Sequence, residues 1–233
     1  MSTTQVLTRL PRLDWREVRE AERVVRYMRG VRPRLELLDA TAIAGVPTIF
    51  GLVSDPEHEP ATHLAIGASS GLTYAAAIDG AFREAFQTAW MSLQVKRHPQ
   101  MYASLAESEF NTHILHHADL ASAHESAFLL EGGQTASLRR ELEINATAPR
   151  GQLEALVART ESRGQPAIAF DLTTTDVRDL GLHVFRTFQP DACWLDVDVA
   201  QPFLGRPRYA TAQVEEFLGP EGRVRNDGIH PFP

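Results

Sequence analysis

Gly67-Ala68-Ser69-Ser70-Gly71-Leu72-Thr73-Tyr74-Ala75-Ala76-Ala77-Ile78-Asp79-Gly80-Ala81-Phe82-Arg83-Glu84-Ala85-Phe86-Gln87 is the stretch on which the fold turns. Residues 63–68 just ahead read as a short strand, and Ser69-Ser70-Gly71 as the turn that ends it. From 74 to 95, Ile78, Phe82, Ala85, Phe86, Ala89 and Leu93 recur at helical spacing and make one apolar face. A strand passing through a Gly/Ser turn straight into a helix aims backbone N–H groups and the positive helix end at one spot, which suits an anion. Glu84 and Gln87 lie three apart on that helix and leave it on one side, away from the middle of the apolar stripe. Alone they read as solvated surface. Beside the junction, Glu84 is placed to hold Mg²⁺ next to a phosphate. No P-loop sequence is present.

Working outward, residues 35–39 and 47–53 read as strands with a turn at 44–47, and 55–60 as a polar loop. Upstream, 14–30 reads as a helix capped by Asp14 and stopped by Gly30, with Pro33 breaking the chain after it. Downstream, 111–125 reads as one helix, Gly132 and Gly133 as a break, and 153–163 as a short helix ended by Gly164. Residues 167–172 read as a buried strand, 174–176 as a turn, and 182–188 as an alternating strand. Helices and strands mixed throughout predict a single α+β domain of mixed sheets packed with helices.

The chain has 233 residues, 43% hydrophobic and 23% charged, enough for one sizeable core. No apolar run approaches the roughly 18 residues of a membrane span, and the start shows no signal-peptide pattern. Cys193 is the single cysteine, which fits a reducing cytoplasm and excludes an internal disulfide. Residues 1–34 carry nine arginines against Asp14, Glu17, Glu20 and Glu22, so they are +5 and the rest −12 within a net charge of −7. Most of these arginines fall every three or four residues, one basic stripe on a helix: either a solvated face laced with pairs such as Glu22 with Arg26, or a docking element for an acidic partner. Nucleic acid is not expected, because no aromatic interleaving or binding motif accompanies the stripe and the chain is acidic.

Several segments together resemble the YcaO family. Gly67–Gly71, then Ala81-Phe82-Arg83-Glu84-Ala85-Phe86-Gln87, resemble its second nucleotide-binding segment, a Gly/Ser-rich turn followed by a helix reading A-L-x-E-x-x-Q. The His-rich stretch 111–118 resembles the helix that follows. Residues 169–177 with 181–186 and Pro190 are similar to its D-x-T-x-x-D and G-x-x-V-x-R…P strand pair. Leu204-Gly205-Arg206-Pro207-Arg208 resembles its late L-G-x-x-R, and His230-Pro231-Phe232-Pro233 the proline-rich end of azoline-forming members. The resemblance covers residues 35–233 and corresponds to the C-terminal half of the family's domain, leaving 1–34 as an Arg-rich helical segment ahead of it.

What the resemblance implies is Mg-ATP-dependent phosphorylation of a backbone amide oxygen in a ribosomal precursor peptide. Attack by a neighbouring Cys, Ser or Thr side chain and loss of phosphate then give an azoline. Carried over by position, Ser69 contacts nucleotide, Glu84 binds Mg²⁺, Gln87 occupies the next family position, Arg186 pairs with a phosphate, and Pro231-Phe232-Pro233 enters and orders the active site. The departures lie in the ATP-site motifs. An earlier S-x-x-x-E-x-x-E-R motif has no counterpart: Glu17 and Glu20 copy its spacing, but Ala21 follows where arginine is expected. Ala76 replaces an acidic position eight before Glu84, and Gly80 a polar one four before it. One carboxylate does not balance several Mg²⁺ ions and a triphosphate. The resemblance therefore implies a truncated or split subunit working beside a second YcaO-type chain or a peptide-binding protein, as a homo- or hetero-oligomer. The alternative is a scaffold that keeps the fold without the ATP site; an unrelated enzyme is a third reading.

Of the remaining chemistry-bearing residues, His113, His116, His117 and His124 have spacing that could bind a metal from one helix face, with surface or capping roles the simpler account. Asp191, Asp196 and Asp198 around Cys193 read as a solvated acidic loop, and Cys193 has no defined His partner.

Overall fold

The computed structural model describes residues 10–14, 33–57, 62–103, 109–130 and 135–190. The expected helix over 14–30, the break at 131–133, Cys193 and its neighbouring aspartates, residues 204–208 and the tail lie outside these, apart from Asp14.

Three antiparallel strands, β1 (Arg34–Asp39), β2 (Thr48–Asp55) and β3 (Thr62–Ser70), form a sheet in chain order. Leu37 pairs with Gly51, and Gly51 with Gly67. Strand alternation divides the apolar side chains between two faces. On one face Leu37, Ile49 and Val53 meet the long helix α2 (Tyr74–Arg97) through Ala77, Ile78, Ala81, Phe82, Ala85 and Ala89. On the other, Leu38, Leu52, Leu64 and Ile66 pack with Leu10 and Leu129. The sheet is therefore sandwiched, and its strands are apolar on both sides instead of alternating with polar residues.

Residues 10–13 lie along β1: Leu13 N–H donates to the Leu37 carbonyl at 3.1 Å, and Asp39 N–H to the Pro11 carbonyl at 2.9 Å. Helix α4 (Ala123–Leu130) ends with two carbonyls that have no intrahelical partner. Arg12 Nη2 donates to Leu129 O and Arg34 Nη2 to Leu130 O, each at 2.8 Å.

Four expectations change. The turn before β2 is preceded by a single helical turn, α1 (Thr41–Ala44), because Asp39 Oδ1 accepts the Thr41 N–H at 2.9 Å. The helix expected over 111–125 is two, α3 (Glu109–Ala118) and α4. Asp119 divides them by turning its carboxylate onto the Ala121 N–H and capping a 3₁₀ turn at Leu120–Ser122. The expected turn at 174–176 opens α6 (Thr175–Asp179). The strand expected to be buried near 167–172 is β4 (Ile168–Asp171), paired antiparallel with β5 (Phe185–Phe188), and every residue of both is exposed. Helix α5 (Pro149–Ser162), ahead of β4, likewise has no buried residue.

Candidate functional site

The site expected at the end of β3 depends on how closely α2 lies on the sheet. A Cβ on Gly67 would stand 2.3 Å from Ala85 N and 2.4 Å from Ala81 O, both backbone atoms of α2. Only glycine fits there. Ala81 and Ala85 keep the helix side of that contact small, so the helix backbone rests on the strand backbone.

This approach brings Glu84 to the rim of the sheet. Among the described residues β3 pairs on one side only, so alternate N–H groups point off its free edge and need another acceptor. Glu84 Oε2 accepts the Ala68 N–H at 2.6 Å. A charge-assisted bond of this kind contributes about 1.5–3 kcal/mol. Glu84 is consequently half-buried instead of lying in solvent, and Gln87, one turn on, is exposed. Ser69 sits beside it, since a Cβ on Gly80 would meet Ser69 Oγ at 2.2 Å. The glycine at the family's polar position thus leaves room for the Ser69 hydroxyl, and Ser69, Gly80 and Glu84 share one corner of the molecule.

The helix N-terminus differs from expectation. Thr73 caps α2 by accepting the Ala76 N–H at 3.3 Å, and Ala77 N–H reaches Thr73 O at 3.1 Å. Tyr74 N–H donates to Glu143 Oε1 at 2.8 Å, while Ile144 N–H donates to Leu72 O at 2.8 Å. A carboxylate from 69 residues downstream therefore already occupies the place expected to take an anion. No local signal in the sequence marks Glu143 for this role.

Beneath the junction is a polar network that the sequence did not announce. Tyr74 and Asp39 are buried, and the Tyr74 hydroxyl donates to Asp39 Oδ2 at 3.2 Å while accepting the Arg139 N–H at 3.3 Å. Desolvation raises the Tyr74 pKa above its usual value. The carboxylate links the end of β1, α1 and the start of α2, a fastening role. Its one sequence signal is an acidic residue ending an apolar strand.

Arg186 stands on β5 opposite Phe170 and has no ion-pair partner among the described residues. Among the helices and strands described, the close packing of β5 is with β4, so Arg186 is not brought together with Ser69 and Glu84 as the first two are with each other. Pro231, Phe232 and Pro233 lie outside the described residues.

The histidines of α3 are more buried than expected. His113 and His117 are inside, whereas His116 pairs through Nε2 with Glu125 Oε2 at 2.9 Å and stands edge-on to the His117 ring at 5.1 Å. The hydrogen bond from His116 holds the Glu125 carboxyl below its usual pKa. No group of three or more His, Cys, Asp or Glu able to hold a metal ion occurs among the described residues.

A Mg-nucleotide fits this corner only in part. Ser69 offers a hydroxyl and Glu84 one carboxylate, half of it engaged by Ala68. The neighbouring Asp79 pairs with Arg83. That is a fragment of a metal shell, and no phosphoryl-transfer step follows from it.

Residues 2–193 match the family model described as YcaO cyclodehydratase, ATP- and Mg²⁺-binding. The match takes in the Arg-rich segment and stops ahead of Leu204 and the tail. A solved heterocyclase in complex with substrate and cofactor has a TM-score of 0.57 at 20% identity, over 81% of this chain and 25% of its own. The structure of the heterocyclase TruD gives 0.51 at 16% identity, over 82% and 26%. The chain thus spans about a quarter of the length of those two chains. No curated protein sequence matches it. The likeness in structure establishes the α+β fold, and no helix among the described residues is long and apolar enough to cross a membrane.

Proposed function

Because this chain belongs to the YcaO family, we propose that it contributes one part of a Mg-ATP site to a cyclodehydratase that forms azolines in a ribosomal precursor peptide, the remainder coming from a second YcaO-type chain. The observation that carries this reading is the corner at the end of β3, where Ser69 and the Glu84 carboxylate stand together because Gly67 and Gly80 leave room for it. In this role Ser69 and Glu84 bind nucleotide and Mg²⁺, Gln87 borders them from the next turn, and Arg186 offers a cation to a phosphate. Pro231-Phe232-Pro233 orders the site in the assembled enzyme. The bound Mg-ATP supplies activation of the amide oxygen; this chain's residues hold and orient it. Among the described residues the neighbouring carboxylate, Asp79, is paired with Arg83, and Ala76 and Gly80 stand where the family has polar groups; this is the reason for assigning the rest to another chain. A cytoplasmic setting accords with the lone cysteine.

A second reading, a YcaO scaffold without an ATP site, is favoured by two contacts: Glu84 is engaged by Ala68, and Glu143 fills the helix N-terminus. Isothermal titration with Mg-ATP separates the two. The proposed function predicts binding by the wild-type chain that falls at least tenfold in Glu84→Ala. Equal heats in both proteins, or none in either, support the scaffold.

A further inference from the structure

Strand β3 ends beside the Ser69–Glu84 corner, on an edge that takes no strand among the described residues. Backbone groups along an antiparallel strand face alternate sides. Gly71 N–H donates to the Pro47 carbonyl at 2.9 Å, so Gly67, Ser69 and Gly71 turn theirs toward β2. Ala68 and Ser70 turn theirs the other way, as the bond from Ala68 N–H to Glu84 shows. Helix α3 packs beside β3, and residues 62–67 are buried. Only the last three residues reach the surface, Ala68 and Ser69 half-buried and Ser70 exposed. The Ser70 hydroxyl shares a hydrogen bond with Thr48 Oγ1 at 2.8 Å, and its backbone N–H and C=O are directed off the edge. They stand about 7 Å from those of Ala68, the two-residue repeat of a strand. Backbone donors and acceptors at that repeat are what an extended peptide pairs with. Glu84 Oε2, 2.6 Å from Ala68 N, stands where the carbonyl of such a peptide would stand.

We propose that this edge binds an extended peptide backbone, the stretch of precursor peptide next to the amide being modified, by adding it as a strand against Ala68 and Ser70. The choice of occupant rests on the proposed function, in which the reacting group is itself a backbone amide and must lie beside Ser69 and Glu84. Paired antiparallel, a peptide residue opposite Ser70 exchanges both backbone hydrogen bonds with it. The residue two further along reaches Ala68 N–H only when Glu84 lets it go. That exchange replaces one acceptor on the N–H by another and returns a carboxylate to the corner. Seating the peptide therefore frees Glu84 for a metal ion, so that this chain's share of the metal site forms with substrate in place. A second copy of the chain fits less well. Pairing two such edges would displace two Glu84 carboxylates into one short interface, where like charges repel.

The test follows backbone amide resonances of the isotope-labelled full chain as a blocked hexapeptide of alternating threonine and cysteine is added to millimolar concentration, without nucleotide or metal. A parallel titration uses the same peptide with its backbone amides N-methylated, which removes the donors that pairing needs. The amides of Ala68 and Ser70 should shift most with the first peptide and stay in place with the second. Glu84→Ala leaves the Ala68 N–H open and should bind the first peptide about tenfold more tightly, the worth of the bond no longer displaced. Under the proposed function the same variant loses Mg-ATP, so its two ligands move in opposite directions. Unchanged amides in β1 and β2 control for the fold. Shifts centred elsewhere, equal shifts with both peptides, no shift, or no gain in Glu84→Ala overturn the proposal. Shifts of Ala68 and Ser70 that follow protein concentration without peptide assign the edge to a second copy and overturn it too. The peptide titration contains no nucleotide, so its failure leaves Mg-ATP binding to be judged by its own titration, and a failure of Mg-ATP binding leaves the peptide result intact.

Discussion

Helix α2 and helix α5 are both regular, yet ten residues of α2 are buried and none of α5 is. The contrast extends to their neighbours. Strands β1–β3 are covered on both faces, whereas β4 and β5 are exposed along their length. Amphipathic patterning alone does not separate the two regions, because Phe170 and Ile168 are as apolar as Ile49 and Ile66. What separates them is whether a second layer packs on them among the described residues. The covered region can fix Ser69 and Glu84 through packing. The uncovered region carries Arg186 on a hairpin whose position depends on what joins it.

The contrast is broken most severely at Gly67. Gly67→Ala drives a methyl into the backbone of α2 and should cost about 3 kcal/mol, at the upper end of overpacking. Leu153→Gln on α5, where the side chain is 61% exposed, should change stability by less than about 0.5 kcal/mol. Paired urea titrations of the two variants check this, and equal effects would remove the distinction between the regions.

Tyr74→Phe comes next. It leaves the buried Asp39 oxygen without its hydroxyl donor and should cost about 1–3 kcal/mol, read as a lower urea midpoint with unchanged slope.

A smaller effect follows from His63. It is buried on β3, and desolvation lowers its pKa, with Lys96 adding to the shift and a backbone hydrogen bond at Ala123 opposing it. The neutral ring is favoured in the folded state, so the unfolded state binds the extra proton first. Stability is therefore intact above the unfolded value of about 6.5 and declines as pH falls below it. Thermal melts between pH 7.5 and 5.5 should show this decline in the wild type and less of it in His63→Leu.

Much of the covered region was legible in the sequence. Ile78, Phe82, Ala85 and Ala89 mark the buried face of α2, and a strand stands at its head as expected, but it runs on through Ser69 and Ser70, read as a turn, because both pair with β2. Glu84 stood out through its family position, but its bond to Ala68 did not, since a free strand edge becomes visible only once the sheet order is known. Glu143 and the Asp39–Tyr74 pair were missed because they join residues far apart in the chain. The strand at 168–171 was misread as buried because apolar composition records that a surface needs covering without saying what covers it. His113 and His117 were read as surface residues since polarity outweighed their four-residue spacing on the packed side of α3.

The central claim, that the end of β3 is a nucleotide site, is tested most directly by adding Mn-ATP to the isotope-labelled chain and following backbone amide resonances. The paramagnetic ion broadens only what lies near it, so even weak binding by a partial site registers. The account predicts that Ala68, Ser69 and Gly80 broaden first, and that Glu84→Gln abolishes the effect. Broadening centred on His116 and Glu125, or none at millimolar Mn-ATP, would contradict it.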